Sequence, residues 1–371
     1  MSYPSIDKLQ NILSDDVFAN RADKKKAAGR ALGTIVELIT YYLFCAWGFK
    51  DDMAIERALP EFGNPDITHN VEFSFHPSLT DNQVIPFKGD AVKPSFLKSY
   101  LPQGIHLKSK PLLRQGLLSN SVNLYECENF FYMANVFLRE NGSEGTVHVS
   151  KRSCKPYAMV ECKRVGKEGD SKGPQTIEKA KQGAYVARTV SSLQRVWDSN
   201  GEACGIMRRG DSWSVKPYEV FVNEIMTGED AVSLCDFMLT IGVVSNHGNW
   251  FTSGNKNKEL KVLSKNYDRL LFLSDKGLVT FVTDLITSPV DELTAVRNAF
   301  LSSYASRENK KNVFTKKTIT TDADRALKHY FDSHLADIVS WFNVISPDNY
   351  PMDQLRTDLL SLRNKDWRQI L

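Results

Sequence analysis

The tightest constraint on this chain is the stretch 157–165, Tyr-Ala-Met-Val-Glu-Cys-Lys-Arg-Val, in which an apolar run ends by presenting a carboxylate and an ammonium two residues apart. Residues i and i+2 of a strand point to the same face. As a strand, this segment sets Glu161 beside Lys163 and turns Val160 and Cys162 into a core on the other side. Such a pair has a chemical use if the carboxylate holds a divalent metal while the lysine meets a phosphate oxygen or a nucleophilic water. The plain alternative is a solvated ion pair worth ~0–1 kcal/mol.

Upstream, residues 31–47 form a helix that is apolar almost all round and therefore buried, with Glu37 as its only charge. An ionised carboxylate in that setting costs several kcal/mol unless something pairs with it. Glu37 is accordingly either the structural partner of a basic side chain or part of a polar site. After Gly48, Asn64-Pro65 marks a turn. Asp66 then opens a segment in which Val71, Phe73 and Phe75 alternate with Glu72 and Ser74, the period of a strand. Downstream, a helix is expected over 175–197 with Ile177, Ala180, Ala184, Ala187 and Val190 on its buried face.

Pro65-Asp66 followed by Glu161-Cys162-Lys163 resembles the signature of the PD-(D/E)XK nucleases, and Gln182-Gly-Ala-Tyr185 resembles the Gln-x-x-Tyr of an exonuclease-like branch of that superfamily. The resemblance spans roughly residues 30–200 and departs from the family in the long gap, about 80 residues, between its two halves. It implies an α/β fold with a restriction-endonuclease-like core, a mixed central sheet flanked by helices. It further implies that Asp66 and Glu161 hold Mg²⁺, that Lys163 orients or deprotonates the attacking water, and that Glu37 binds a second metal or supports the first. Glu72 competes with Asp66 for the place of the upstream carboxylate. Gln182 and Tyr185 would support the site.

The rest of the chain is expected to serve substrate binding. The core spans 1–288, with an insertion at about 77–155 that recurrent prolines keep free of long regular elements. Residues 77–116 carry six basic side chains against two acidic ones. Among them Lys88, Lys93, Lys108, Lys110 and Arg114 are candidates for tracking a phosphate backbone, with a merely solubilising surface as the alternative. Residues 146–150 are expected to form a hairpin partner for the Glu161 strand, and 216–225 and 237–244 two further strands. His247 and Asn249 lie in a polar loop suited to base edges or phosphates. From 289 to 371 the pattern is helical, a candidate DNA-binding or dimerisation region. Its segment 307–317 has five basic residues and one acid, with Lys310, Lys311, Lys316 and Lys317 as candidate backbone contacts.

Net charge is only +3, so affinity for nucleic acid has to come from such local patches rather than from the overall field. Apolar content of 42% with 25% charge is that of an ordinary globular protein. Six scattered cysteines, none at CxxC spacing, point to neither a zinc site nor a disulfide framework. No glycine loop for a nucleotide cofactor is present, no window approaches the ~20 apolar residues of a membrane span, and the first residues lack a secretory pattern. A cytoplasmic protein is expected. Together with the resemblance, the insertions and basic segments imply an Mg²⁺-dependent, sequence-specific endonuclease like the type II restriction enzymes, acting as a homodimer on double-stranded DNA. The alternatives are a structure-directed repair or exonuclease-like nuclease of the same fold and a non-catalytic DNA-binding protein.

Overall fold

The apolar helix is the scaffold. In the computed structural model, which describes residues 6–19, 22–58, 70–140, 142–164, 193–209, 211–235, 237–245, 264–304 and 313–371, a short helix α1 (Ile6–Ile12) leads into α2 (Lys24–Ala46). Helix α2 buries Ala28, Leu32, Ile35, Ile39 and Leu43 among others. It stops because Gly48 adopts φ +88°, which lets the N–H groups of Gly48 and Phe49 return to the carbonyls of Cys45 and Phe44 at 2.9 and 3.0 Å. This is the paired bonding of a Schellman stop, and glycine enters that conformation without steric cost.

The chain then builds β1 (Met53–Arg57) and β2 (Val71–Phe75). The insertion follows, with β3 (Gln83–Lys88), β4 (Ala91–Val92), β5 (Leu113–Arg114), β6 (Leu117–Ser119), β7 (Val122–Glu126), β8 (Phe130–Leu138) and β9 (Glu144–Ser153). After β10 (Ala158–Arg164) come β11 (Leu193–Trp197), β12 (Ala203–Arg209), β13 (Ser212–Pro217), β14 (Leu239–Ser245), β15 (Arg269–Leu273), β16 (Thr318–Thr320) and β17 (Phe342–Ser346). The central sheet has the order β1-β2-β10-β14-β15-β17. Strands β10, β14 and β15 are parallel, and the others pair antiparallel, so the sheet is mixed.

Alternation in β2 does what its sequence period demands. Phe73 and Phe75 turn toward α2, where they meet Tyr41 and Phe44 at ring-centroid distances of 6.1 and 5.1 Å. Glu72 and Ser74 occupy the opposite positions of the pleat. Ser74 donates its hydroxyl to His76 Nε2 at 2.7 Å. This tautomer follows from the other ring nitrogen, since Nδ1 lies 2.8 Å from the Ser153 carbonyl, which can only accept. Arg152 of β9 bonds Asp52 at 2.7 Å and the His76 carbonyl at 3.2 Å, tying the insertion to the core through buried charge.

Several sequence expectations are corrected. Strand β9 pairs with β8 and β3, not with β10, because β10 takes both partners, β2 and β14, from distant parts of the chain. Residues 218–227 are a helix, Tyr218–Thr227, since Tyr218, Phe221, Val222 and Ile225 recur at helical spacing and all four are buried. The helix expected over 175–197 falls mostly outside the described residues, and 193–197 is strand β11, held by β12. The C-terminal region is less purely helical than expected. Its β16 pairs with β6 of the insertion and its β17 closes one edge of the central sheet, so the tail binds both parts together. Among the described residues no helix is long and apolar enough to cross a membrane.

Candidate active site

Three glutamates lie at one level across three neighbouring strands. In the β1/β2 ladder the pairs Ile55–Phe73 and Arg57–Val71 bracket Glu56 and Glu72. In the β2/β10 ladder the last pair is Phe73–Val160, and the next residues are Glu72 and Glu161. There the Glu72 N–H donates to the Glu161 side chain, to Oε2 at 3.2 Å. The Glu161 carboxylate thus takes over as the ladder ends, which fixes its orientation. On its other side Glu161 pairs with Gly242 of β14. A Cβ at Gly242 would strike the Tyr267 ring at 2.7 Å, so glycine is needed for that ring to lie there. Burial, and then the Glu161 charge, push the Tyr267 phenol well above its ordinary pKa.

Glu56 reaches the same place by a different route. Its φ of +50° is left-handed, a conformation that costs a residue with a side chain roughly 1–3 kcal/mol. This bend falls where the ladder skips one pair, opposite Glu72, and the Glu56 carboxylate reaches Lys316. The fourth carboxylate, Glu37, comes from α2.

The common partner of Glu37, Glu56 and Glu72 is Lys316. Its Nζ lies 2.7 Å from Glu37 Oε2 and 3.1 Å from Glu56 Oε1, and it touches Glu72 Oε1. Lys316 is buried, as are Glu161 and Glu72. Its turn is held rigidly, since the Asn120 amide donates to the Lys316 carbonyl at 3.0 Å and the Asn120 N–H to that of Lys317 at 3.1 Å. At Glu56 burial acts to raise the pKa, but Lys316 and Lys317 overrule it and hold the carboxyl below its ordinary value.

Each expected site residue has its own outcome. Glu37 is paired with Lys316, and Glu161 accepts from the Glu72 N–H. Asp66 lies outside the described residues, and Glu72, its competitor, occupies the position beside Glu161. The backbone of Lys163 pairs with Val244, two residues beyond Glu161 on β10; its side chain, like Gln182, Tyr185, His247, Asn249, Lys310 and Lys311, lies outside the described residues. Lys316 is corrected from a surface phosphate contact to a buried counter-cation, because three carboxylates surround its ammonium. Lys88, Lys93, Lys108, Lys110 and Arg114 are exposed on the insertion, with Lys88 paired to Glu144 at 2.8 Å. Sequence reasoning misses Glu56. Nothing in its local sequence announces a left-handed residue inside a strand.

Among the described residues no three His, Cys, Asp or Glu side chains form a ready-made metal cage. The donors nonetheless suit Mg²⁺: they are carboxylate oxygens, the ligands of hard cations, and a cation, the Lys316 ammonium, already stands among three of them, Glu37, Glu56 and Glu72.

The chain matches no family model, no curated protein and no solved structure.

Proposed function

We propose that this protein is an Mg²⁺-dependent DNA endonuclease of the PD-(D/E)XK kind, a phosphodiester hydrolase resembling the type II restriction enzymes and acting on double-stranded DNA as a homodimer. The observation that carries this reading is the convergence of Glu72 and Glu161 at the end of the β2/β10 ladder, with Lys163 two residues along the same strand. Glu72 and Glu161 would hold the ion, with Glu37 beside them. Bound there, Mg²⁺ supplies charge neutralisation at the phosphate and an acidified water.

The protein's own groups do the rest. The Glu72 N–H fixes the Glu161 carboxylate in one orientation, so little reorganisation is needed during the reaction. Lys163, two residues beyond Glu161 on β10, would orient the attacking water or meet a phosphate oxygen. Lys316 balances Glu37, Glu56 and Glu72 when the substrate is absent and keeps these three carboxylates from repelling one another apart.

Incubation of the protein with supercoiled plasmid is the test. Nicked and linear products are expected with Mg²⁺ or Mn²⁺ and none with EDTA, and discrete fragments indicate site-specific cutting. Full cleavage in chelator would remove the metal mechanism, and a smear in place of fragments would remove site specificity.

A further inference from the structure

A half-enclosed cavity of about 220 Å³ opens between α2, β8 and the helix Thr321–Ser333, and none of its residues belongs to the glutamate cluster. Its wall includes Cys45, Ala46, Phe137 and Lys328, all partly exposed, together with the buried Lys50 and the exposed Asp332. The volume lies below the ~300–1,000 Å³ of sites for drug-sized ligands, so only a small molecule fits.

The buried charges around this cavity do not balance. Asp324 has both oxygens engaged, Oδ1 by the Tyr42 hydroxyl at 2.8 Å and Oδ2 by the Lys328 ammonium at 2.6 Å. That leaves Lys50. Its Nζ donates to the Val136 carbonyl at 3.0 Å and lies 4.6 Å from the Phe137 ring centroid, but no carboxylate stands within ion-pair distance of it among the described residues. It adjoins Lys328 instead, whose Nζ is 5.7 Å from the same ring centroid. Burial, and then the Lys328 charge, bring the Lys50 amine down to about 8. A buried cation without a counter-charge is strongly unfavourable, and an anion in the cavity would supply one.

The donors left over indicate which anion. Each ammonium has three N–H groups; Lys50 uses one on Val136 and Lys328 one on Asp324. The two oxygens of a carboxylate match one further donor from each lysine. A phosphate brings more oxygens than these donors satisfy and would set the rest against Ala46 and Phe137, where unpaired polar atoms are costly. We infer that this cavity binds a small monocarboxylate, its two oxygens on the Lys50 and Lys328 ammonium groups and its hydrocarbon part against Ala46 and Phe137.

The other groups around Lys50 hold their charge state near neutral pH. Burial raises the Cys45 thiol to about 12 and the Tyr41 and Tyr42 phenols well above their ordinary values. Burial acts to raise Asp324, but Lys328 and Lys50 overrule it and keep the carboxyl below its ordinary value. Burial acts to lower Lys328, but Asp324 overrules it and keeps the amine above its own. Asp332 at the rim and the Asp51–His148 pair, whose imidazole stacks on Phe137 at 4.1 Å, complete the charged surroundings. Above pH 7.5 Lys50 is therefore the group whose proton loss weakens the site.

The test is titration calorimetry of the full chain with propionate, 1-propanol and inorganic phosphate at pH 7.5 and 9. Propionate is expected to bind, phosphate more weakly and propanol not at all. Propionate affinity should fall by up to about eightfold at pH 9, as Lys50 gives up its proton. Lys50→Met should weaken propionate at least about tenfold at pH 7.5, the effect of one lost charged contact, whereas Lys50→Arg should keep binding and lose the pH dependence. Methionine replaces an uncompensated buried cation with an apolar chain, so thermal unfolding of Lys50→Met should match or exceed that of the wild type. Propanol or phosphate binding as tightly as propionate, a wild-type affinity equal at the two pH values, or a Lys50→Met affinity equal to wild type would overturn the site. The pH comparison uses the wild-type chain alone and decides the matter even if neither variant folds.

Discussion

The backbone N–H of Glu72 donates to the side-chain carboxylate of Glu161 at 3.2 Å, one residue beyond the last strand pair that joins them. A side chain has replaced a backbone acceptor at the point where two strands part. The Glu161 carboxylate is thereby held against the Glu72 backbone, and the first prediction concerns these two residues.

Glu72→Ala and Glu161→Ala are each expected to lower plasmid cleavage about a thousandfold, equivalent to ~4 kcal/mol of lost transition-state stabilisation, while gel-shift affinity for DNA survives. Asp66→Ala is expected to stay near wild type. A large loss in Asp66→Ala with an active Glu72→Ala would return the upstream position to Asp66.

Lys316→Ala removes the buried cation that Glu37, Glu56 and Glu72 share. Removing one partner of a buried ion pair costs ~3–5 kcal/mol, so urea unfolding in EDTA should show a loss of that order. Added Mg²⁺ should stabilise the variant more than the wild type, because binding to the folded state alone adds stability and no ammonium competes for the carboxylates. Equal stabilisation by Mg²⁺ in the two proteins would show that these side chains do not hold the ion.

Neutralising Lys88, Lys93 and Arg114, exposed cations of the insertion, tests whether that surface follows a phosphate backbone. Each of these cations that touches a phosphate should, once neutralised, flatten the plot of log affinity against log salt by about 0.9, leaving sequence preference intact. An unchanged slope would make these residues solubilising only.

His76 supplies a pH dependence of stability. Burial, with Arg57 and Arg152 adding to it against the Ser153 hydrogen bond, lowers its pKa well below the ordinary value, so the folded protein holds it neutral. The unfolded chain takes up the proton first as pH falls. Stability from this group is complete above about pH 6.5 and declines below it by up to ~1.4 kcal/mol per pH unit until the folded value is reached. Denaturant midpoints measured from pH 7.5 to 5 should show this fall, and His76→Gln should flatten it relative to the wild type.

The elements whose character is local are legible in the sequence. Helix α2 is visible as an apolar run with a single charge, β2 as the alternation from Val71 to Phe75, and β10 as an apolar run ending in Glu161 and Lys163. Glu37 and Glu161 can be picked out for the same reason: a carboxylate inside an apolar run must be paired or used. The helix Tyr218–Thr227 reads as a strand because a short run rich in β-branched and aromatic residues fits either period until burial is known.

What only the tertiary structure decided is who meets whom. The partners of β10 come from either side of it at long sequence separation, so the nearby 146–150 segment, however strand-like, had no claim on it. Glu56 joins the site through a left-handed backbone that local propensity disfavours and only the surrounding sheet can hold. Lys316 sits in a basic run that, read alone, belongs at the surface. It becomes a buried counter-cation because β16 pairs with β6 and Asn120 pins its turn beside Glu72. Periodicity along a chain records how each segment divides its faces between core and water, whereas the choice among distant partners depends on packing and charge compensation that no single segment contains.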